Sequence, residues 1–278
     1  MVGLMPLMEL TEGRPEVRIG LIDGPVTSGN PELASARIRR IAGPVACTSG
    51  SAACTHGTFI AAILSATRES STRGICPGCT LLVRPIFGEV ALARGDSPSA
   101  TPDELAKAML ECAEAGARIL NVSAAVARPS SEGERVLDEA LSYIVRRGVI
   151  VAVAAGNQGT VGSTILTRHP GLIPVVAYDQ QAKPMGYSNF GGTIGRRGVG
   201  GPGDRTAGVG PDGQPLTMSG TSVAVPYVSG TIALLWSVFP AATATDIRLA
   251  VTGSLVRRRA SVVPPLLDAW GAYQAMRR

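Results

Sequence analysis

Val149-Ile150-Val151-Ala152-Val153-Ala154-Ala155-Gly156-Asn157-Gln158-Gly159 is an apolar run that ends in a polar, glycine-flanked turn. No polar position interrupts it before Gly156, so neither face suits water. A strand buried on both faces belongs in a parallel sheet covered by helices on each side. Val17–Asp23, Leu81–Phe87, Arg118–Ser123 and Ile173–Tyr178 are predicted strands of the same kind. Between them, Pro102–Ala115 and Gly133–Arg147 carry apolar residues at helical spacing with charged residues opposite. Thr101-Pro102-Asp103-Glu104 supplies a cap, a proline and early acids, the signs of a helix start. Strands alternating with helices predict an α/β fold with a mostly parallel sheet and helices on both faces. At 278 residues and 45% hydrophobic, the chain can bury one large core. No repeat, long linker or charge run divides it.

In open α/β sheets, ligand and catalytic groups gather beyond the carboxyl ends of the strands. Asn157 follows such an end. So does Asp23, in Val17-Arg18-Ile19-Gly20-Leu21-Ile22-Asp23-Gly24. Standing alone, either residue would be a turn former. A third stretch changes the weighing. Gly220-Thr221-Ser222-Val223-Ala224-Val225-Pro226-Tyr227-Val228-Ser229-Gly230 sets one serine between a glycine-rich approach and the apolar helical run Thr231–Trp236. A hydroxyl there stands at the amino end of a helix, where unpaired N–H groups and the dipole favour developing negative charge. Gly-Thr-Ser by itself more often caps a helix, so a nucleophile at Ser222 also requires a base. The chain has 2 histidines, His56 and His169. His56 lies in Thr55-His56-Gly57-Thr58-Phe59-Ile60-Ala61-Ala62-Ile63-Leu64, with small residues around the ring and an apolar helical run behind it. Imidazole accepts a proton near neutral pH, which makes His56 the candidate base. His169, in Arg168-His169-Pro170-Gly171, sits on a turn signal and is read as structural.

These stretches together resemble the subtilisin-like serine proteases, the subtilases. Ser222 falls in the G-T-S-x-A-x-P-x-V-S-G pattern, His56 in H-G-T-x-x-A-x-I, Asn157 in A-A-G-N and Asp23 in the acid motif. Their order along the chain is that of subtilisin, not of chymotrypsin or the α/β-hydrolases. The resemblance implies a subtilisin-like three-layer fold and a serine endopeptidase. Ser222 would be the nucleophile and His56 the base, while Asp23 would hold the histidine tautomer without taking the proton. Asn157 and the Ser222 N–H would donate to the oxyanion. Subtilases pair extended substrate with a strand that corresponds to Asn121-Val122-Ser123-Ala124-Ala125, so peptide is expected to bind at Ser123, Ala124 and Ala125, and at Ala154, Ala155 and Gly156. Ala124 and Ala125 replace the usual leucine and glycine, and the Ala125 methyl is expected to narrow the neighbouring pockets. Tyr187-Ser188-Asn189-Phe190-Gly191, Val199-Gly200-Gly201-Pro202-Gly203 and a closing helix over Leu266–Tyr273 extend the resemblance to about residues 15 to 275. The implied division is a leader segment, 1–14, and a peptidase domain, 15–278.

Within that family, Arg18–Val26 and Gly74-Ile75-Cys76-Pro77-Gly78-Cys79-Thr80-Leu81-Leu82-Val83-Arg84-Pro85-Ile86-Phe87 resemble the proteases that trim precursor peptides in cyanobactin (patellamide-type) biosynthesis. Members of that group that cyclise peptides carry a helical insertion between the acid and histidine motifs. Here Asp23 and His56 are 33 positions apart, which leaves little room for one, and hydrolysis is expected. The alternatives are a transpeptidase of the same fold and an inactive peptide-binding homologue.

Net charge is +5, and all but two of the 26 basic residues are arginine. The excess is scattered apart from Arg257-Arg258-Arg259 and Arg277-Arg278. Interleaved aromatic residues of the kind that bind single-stranded nucleic acid are missing. No nucleic-acid partner is expected; the charge reads as a solvated face, with recognition of an acidic peptide as the lesser reading. No secretory signal and no run of ~18 consecutive apolar residues is evident, so a cytoplasmic protein that needs no membrane and folds unaided is expected. Of the 5 cysteines, Cys112 reads as a small buried hydrophobe. Cys47, Cys54, Cys76 and Cys79 admit three readings: disulfides Cys47–Cys54 and Cys76–Cys79, free thiols, or a zinc site. No ligand cluster for calcium stands out, and no cofactor is called for.

Overall fold

The computed structural model describes residues 1–43, 47, 50–87, 99–125, 133–253 and 261–277. Its elements begin with α1 (Leu4–Leu10), β1 (Arg18–Asp23), β2 (Arg37–Arg40), α2 (Ala52–Ser65), β3 (Thr80–Pro85), α3 (Pro102–Glu114), β4 (Ile119–Val122), α4 (Glu134–Arg146) and β5 (Ile150–Ala154). There follow α5 (Ile165–Arg168), β6 (Leu172–Tyr178), α6 (Gly192–Arg197), β7 (Val199–Pro202), the hairpin strands β8 (Thr206–Val209) and β9 (Pro215–Met218), α7 (Thr221–Val238), α8 (Ala244–Thr252) and α9 (Ala269–Met276). Seven strands form one sheet in the order β2-β3-β1-β4-β5-β6-β7, and every pairing in it is parallel.

Side chains alternate between the faces of a strand, and this alternation sorts the core into two layers. Ile19 and Leu21 of β1, Ile119 of β4, and Ile150, Ala152 and Ala154 of β5 pack on the side of α2 and α7. Ile22, Leu120, Val122, Val151 and Val153 pack on the side of α3 and α4. Asp23 keeps step with Ile19 and Leu21, so its carboxylate is directed to the α2 and α7 side. Asn121 keeps step with Ile119 and faces α7. Helices on both faces of the sheet give the three-layer α/β fold expected from the apolar runs.

The predicted strands and the two predicted helices are present with their ends shifted by a residue or two. The closing helix starts later than expected, at Ala269, because Asp268 caps it through the Gly271 N–H at 2.8 Å. α7 has the length and apolarity of a membrane span, which a count of consecutive apolar residues does not reveal. It is 83% buried inside the molecule and is the central core helix.

Residues 1–14 do not behave as a separate leader. Val2, Leu4, Leu7 and Met8 belong to the same core as α2 and α7, and the Arg68 guanidinium ties this segment down by donating to Met8 O at 2.6 Å and Thr11 O at 3.0 Å. The amphipathic turn of α1 buries its apolar face against α7 and α9, so the boundary at residue 14 separates no packing unit. Leu7 is fully buried, and Leu7→Ala is expected to lower unfolding free energy by about 2–5 kcal/mol in denaturant titrations. A loss below ~0.5 kcal/mol would detach α1 from the core.

The cysteines divide. Cys47 and Cys54 form a disulfide with Cα atoms 5.2 Å apart. Cys76 and Cys79 are not bonded but are buried thiols, which corrects the second expected pair. The two thiols influence each other's titration: Cys79 together with burial pushes the Cys76 thiol up, and the Cys79 thiol is held down by its neighbour. Among the described residues no three potential ligands gather into a metal site. Cys112 is fully buried in α3, and burial pushes its thiol up to about 12.

Candidate active site

Three elements meet at the carboxyl end of the sheet. Asp23 is the last residue of β1, His56 lies in the second turn of α2, and Ser222 is the second residue of α7. Asp23 is fully buried. Its Oδ1 accepts from the Gly24 N–H at 2.6 Å and from His56 Nδ1 at 2.7 Å. With Nδ1 carrying the proton, Nε2 is the acceptor, and Ser222 Oγ donates to it at 2.9 Å. Thus a carboxylate, an imidazole and a hydroxyl form one hydrogen-bonded chain. The His56 pKa responds to opposing influences: burial, the largest, lowers it, while the Asp23 charge and hydrogen bond raise it. The net result lies above the ordinary 6.5.

The close approach of α2 to the end of β1 depends on two glycines beside the polar residues. A Cβ on Gly24 would lie 1.9 Å from Ala53 O, and one on Gly57 would lie 2.4 Å from Gly24 O. Both obstacles are backbone, so no side-chain motion could relieve them. Gly57→Ala is therefore expected to push α2 from β1, with about 1–3 kcal/mol of overpacking and a loss of the His56–Asp23 bond. The measurable result is a drop in thermal midpoint together with a loss of His56-dependent activity.

At the start of α7, Gly220 has φ 152°, and a Cβ there would sit 3.3 Å from both Asn157 Nδ2 and Ser222 Oγ. The glycine keeps that space clear. Among the described residues, neither Asn157 Nδ2 nor the Ser222 N–H has an acceptor, so two donors border the opening. Thr221 sets the direction of the Asn157 amide. Its N–H and its hydroxyl both donate to Asn157 Oδ1, each at 2.9 Å, leaving Nδ2 on the outer side. Thr221 Oγ1 in turn accepts from the Gly156 N–H at 3.2 Å. No local pattern marks Thr221 for this role; only its bonds across 64 and 65 positions do.

A cleft of about 900 Å³ adjoins His56 and Ser222. Ser123, Ala124, Ala125, Ala154 and Gly156 line it, and apolar side chains such as Phe87, Leu105, Leu137 and Ile165 widen its apolar surface. Ala155 does not join them. Its methyl turns the opposite way, into a small cluster with Val176, Tyr178 and Ile194, as alternation beyond β5 requires. Ser123 is held from below: Asn121 Nδ2 donates to its Oγ at 2.9 Å, and Asn121 Oδ1 accepts from Ser229 of α7 at 2.7 Å. His169 lies before the amino end of β6, at the opposite end of the parallel strands from the triad. The Gly171 N–H donates to its Nδ1 at 3.2 Å, Ser142 Oγ lies 3.3 Å from Nε2, and burial lowers its pKa.

The chain is similar to known proteins in sequence and in fold. Thermitase from Thermoactinomyces vulgaris is 28% identical over 198 residues, which are 70% of this chain and 65% of thermitase. The chain thus spans just under two thirds of that relative's own length. The solved protease domain of PatA superposes with a TM-score of 0.86 at 29% identity, covering 95% of this chain and 96% of that one. The prenylagaramide maturation protease PagA gives a TM-score of 0.86 at 27% identity and covers 99% of both chains. The sequence profile of the subtilase family, peptidase S8, matches residues 16–263. That match takes in Asp23, His56, Asn157 and Ser222 alike, and the chain belongs to the subtilase family.

Proposed function

We propose that this chain is a serine endopeptidase that hydrolyses peptide bonds through an acyl-enzyme and trims a precursor peptide during maturation of a ribosomally made product. The observation that carries the proposal is the chain Asp23–His56–Ser222, with its links at 2.7 and 2.9 Å. Ser222 Oγ attacks the scissile carbonyl as His56 Nε2 takes its proton. Asp23 keeps Nδ1 protonated and stabilises the imidazolium that forms. The carbonyl oxygen becomes an oxyanion in the space kept open at Gly220, between Asn157 Nδ2 and the Ser222 N–H. His56 then gives the proton to the leaving amine, and water activated by the same ring releases the acid.

The substrate lies extended along Ser123–Ala125, where main-chain bonds give affinity independent of sequence, and its side chains enter the largely apolar cleft. Hydrolysis is favoured over transpeptidation because the described residues between Asp23 and His56 hold only a 3-10 turn (Pro31–Leu33), β2 and the start of α2. The trimming role rests on likeness to the maturation protease PagA.

Cleavage mapping by mass spectrometry on a diverse peptide pool tests the proposal. Products that gain one water at an internal bond, and that disappear with Ser222→Ala, are expected. Products lacking that water would mean transpeptidation, and no products would sink the endopeptidase reading. Asn157→Ala is expected to lower kcat about 10²–10³-fold with little change in KM, the cost of one oxyanion donor measured in subtilisin.

A further inference from the structure

Asn189 is 8% exposed and touches none of the triad. Its side-chain amide is nevertheless bonded at every available position to the loop that carries Asn157. Oδ1 accepts from the Gln158 N–H at 3.0 Å, from the Thr160 N–H at 3.1 Å and from Thr160 Oγ1 at 3.1 Å. Nδ2 donates to Ala155 O at 3.2 Å and to Gln158 Oε1 at 2.7 Å. The backbone N–H of Asn189 donates to Gly156 O at 2.9 Å. The donors on one side and the carbonyl on the other fix which amide atom is oxygen. These contacts bracket Asn157 on both sides, at Ala155 and Gly156 before it and at Gln158 and Thr160 after it. The Asn157 side chain itself is exposed. Thr221 aims that side chain and accepts from the Gly156 N–H, and Tyr187 O accepts from the Gly159 N–H at 2.8 Å. The Asn189 amide is the side chain that bonds the backbone on both sides of Asn157.

We propose that Asn189 is a positioning residue for the reaction, acting through Asn157 by holding the Ala155–Thr160 backbone where the oxyanion donor must stand. The inference rests on the endopeptidase reading and deepens it. An oxyanion donor works only if its position is set before charge develops. A loop at the end of a strand has no full ladder to set it. One buried carboxamide supplies partners on both sides of Asn157, beside the bonds that Tyr187 O and Thr221 Oγ1 accept from the Gly159 and Gly156 N–H groups. Substituting Asn189 frees the loop, so the loss should appear in kcat, where the oxyanion forms, and not in KM.

A double-mutant cycle with Asn157 separates this role from mere packing. Asn189→Ala is expected to lower kcat at least about tenfold with KM within about threefold, while in the Asn157→Ala background the same change lowers kcat less than about threefold. Equal factors in the two backgrounds, or an unchanged kcat, would overturn the inference. If Asn189→Ala is unfolded at the assay temperature by circular dichroism, Asn189→Asp takes its place under the same criterion. It keeps the volume and the Oδ1 acceptor but turns an oxygen toward Ala155 O and Gln158 Oε1. An Asn157→Ala protein with full kcat would remove the oxyanion role and this inference together. Cleavage that survives Ser222→Ala would defeat the endopeptidase reading, whereas an additive cycle beside an inactive Ser222→Ala defeats only the role of Asn189.

Discussion

Ser222→Ala is expected to lower kcat about 10⁶-fold while leaving the fold and KM nearly unchanged, since removal of the nucleophile in subtilisin has an effect of that size. The reason is that the hydroxyl is the only group in the chain Asp23–His56–Ser222 able to form the acyl bond. The cleft, the Asn157 amide and the open space at Gly220 all survive the change, so substrate still binds. A residual rate some 10³–10⁴-fold above water, from the oxyanion donors and binding alone, would remain. Initial rates on a sensitive peptide, with circular dichroism to confirm the fold, decide the matter. A variant that cleaves within tenfold of the parent would mean that another residue is the nucleophile.

The second large effect is that of Asp23→Asn, which is expected to lower kcat about 10⁴-fold through the wrong histidine tautomer. An amide can donate where the carboxylate only accepts, so Nδ1 loses its reason to carry the proton. The pH profile adds a signed test. Catalysis needs neutral His56, and the folded pKa is raised above 6.5 despite burial, because of the Asp23 charge and hydrogen bond. The acid limb of kcat/KM in the parent should therefore have its midpoint above 6.5. In Asp23→Asn the two raising influences vanish and burial, which lowers the value, remains. The limb should then move to the acid side of 6.5. A midpoint that stays where the parent has it would show that Asp23 does not set the charge state of His56.

What could be read from the amino-acid order, and what could not, follows from the range of the forces involved. β1, β3, β4, β5 and β6 were legible because strands buried on both faces need unbroken apolar runs. β2 was not, since Arg37, Arg39 and Arg40 are exposed on an edge strand that needs no apolar face. β7 was met only as a landmark, its glycines giving no strand signal, and the short β8–β9 hairpin escaped altogether. α1 reads as a short polar-ended leader until α7 and α9 are seen to cover it. At the site, Asp23, His56, Asn157 and Ser222 could be named only as a set, because each is ambiguous alone and the four fall in one order in stretches that resemble the subtilase motifs. Thr221, Asn189 and the Asn121–Ser229 pair could not be assigned a role. Their work is done through bonds spanning 64, 31 and 108 positions, and no local pattern encodes those partners. Ala155 is a case of another kind: one step past the strand, alternation sends its methyl away from the cleft. Cys76-Pro77-Gly78-Cys79 likewise has the spacing of a disulfide, yet both residues stand as buried thiols.

The claim that His56 and Asp23 make a nucleophile of Ser222 is tested most directly by covalent labelling of the folded protein with a fluorophosphonate. Intact-mass and peptide-mapping mass spectrometry should find one adduct, on Ser222, that is lost in Ser222→Ala, lost on unfolding, and formed more slowly as pH falls through the His56 pKa. No adduct on native protein, or an adduct on another serine that persists in Ser222→Ala, would contradict it.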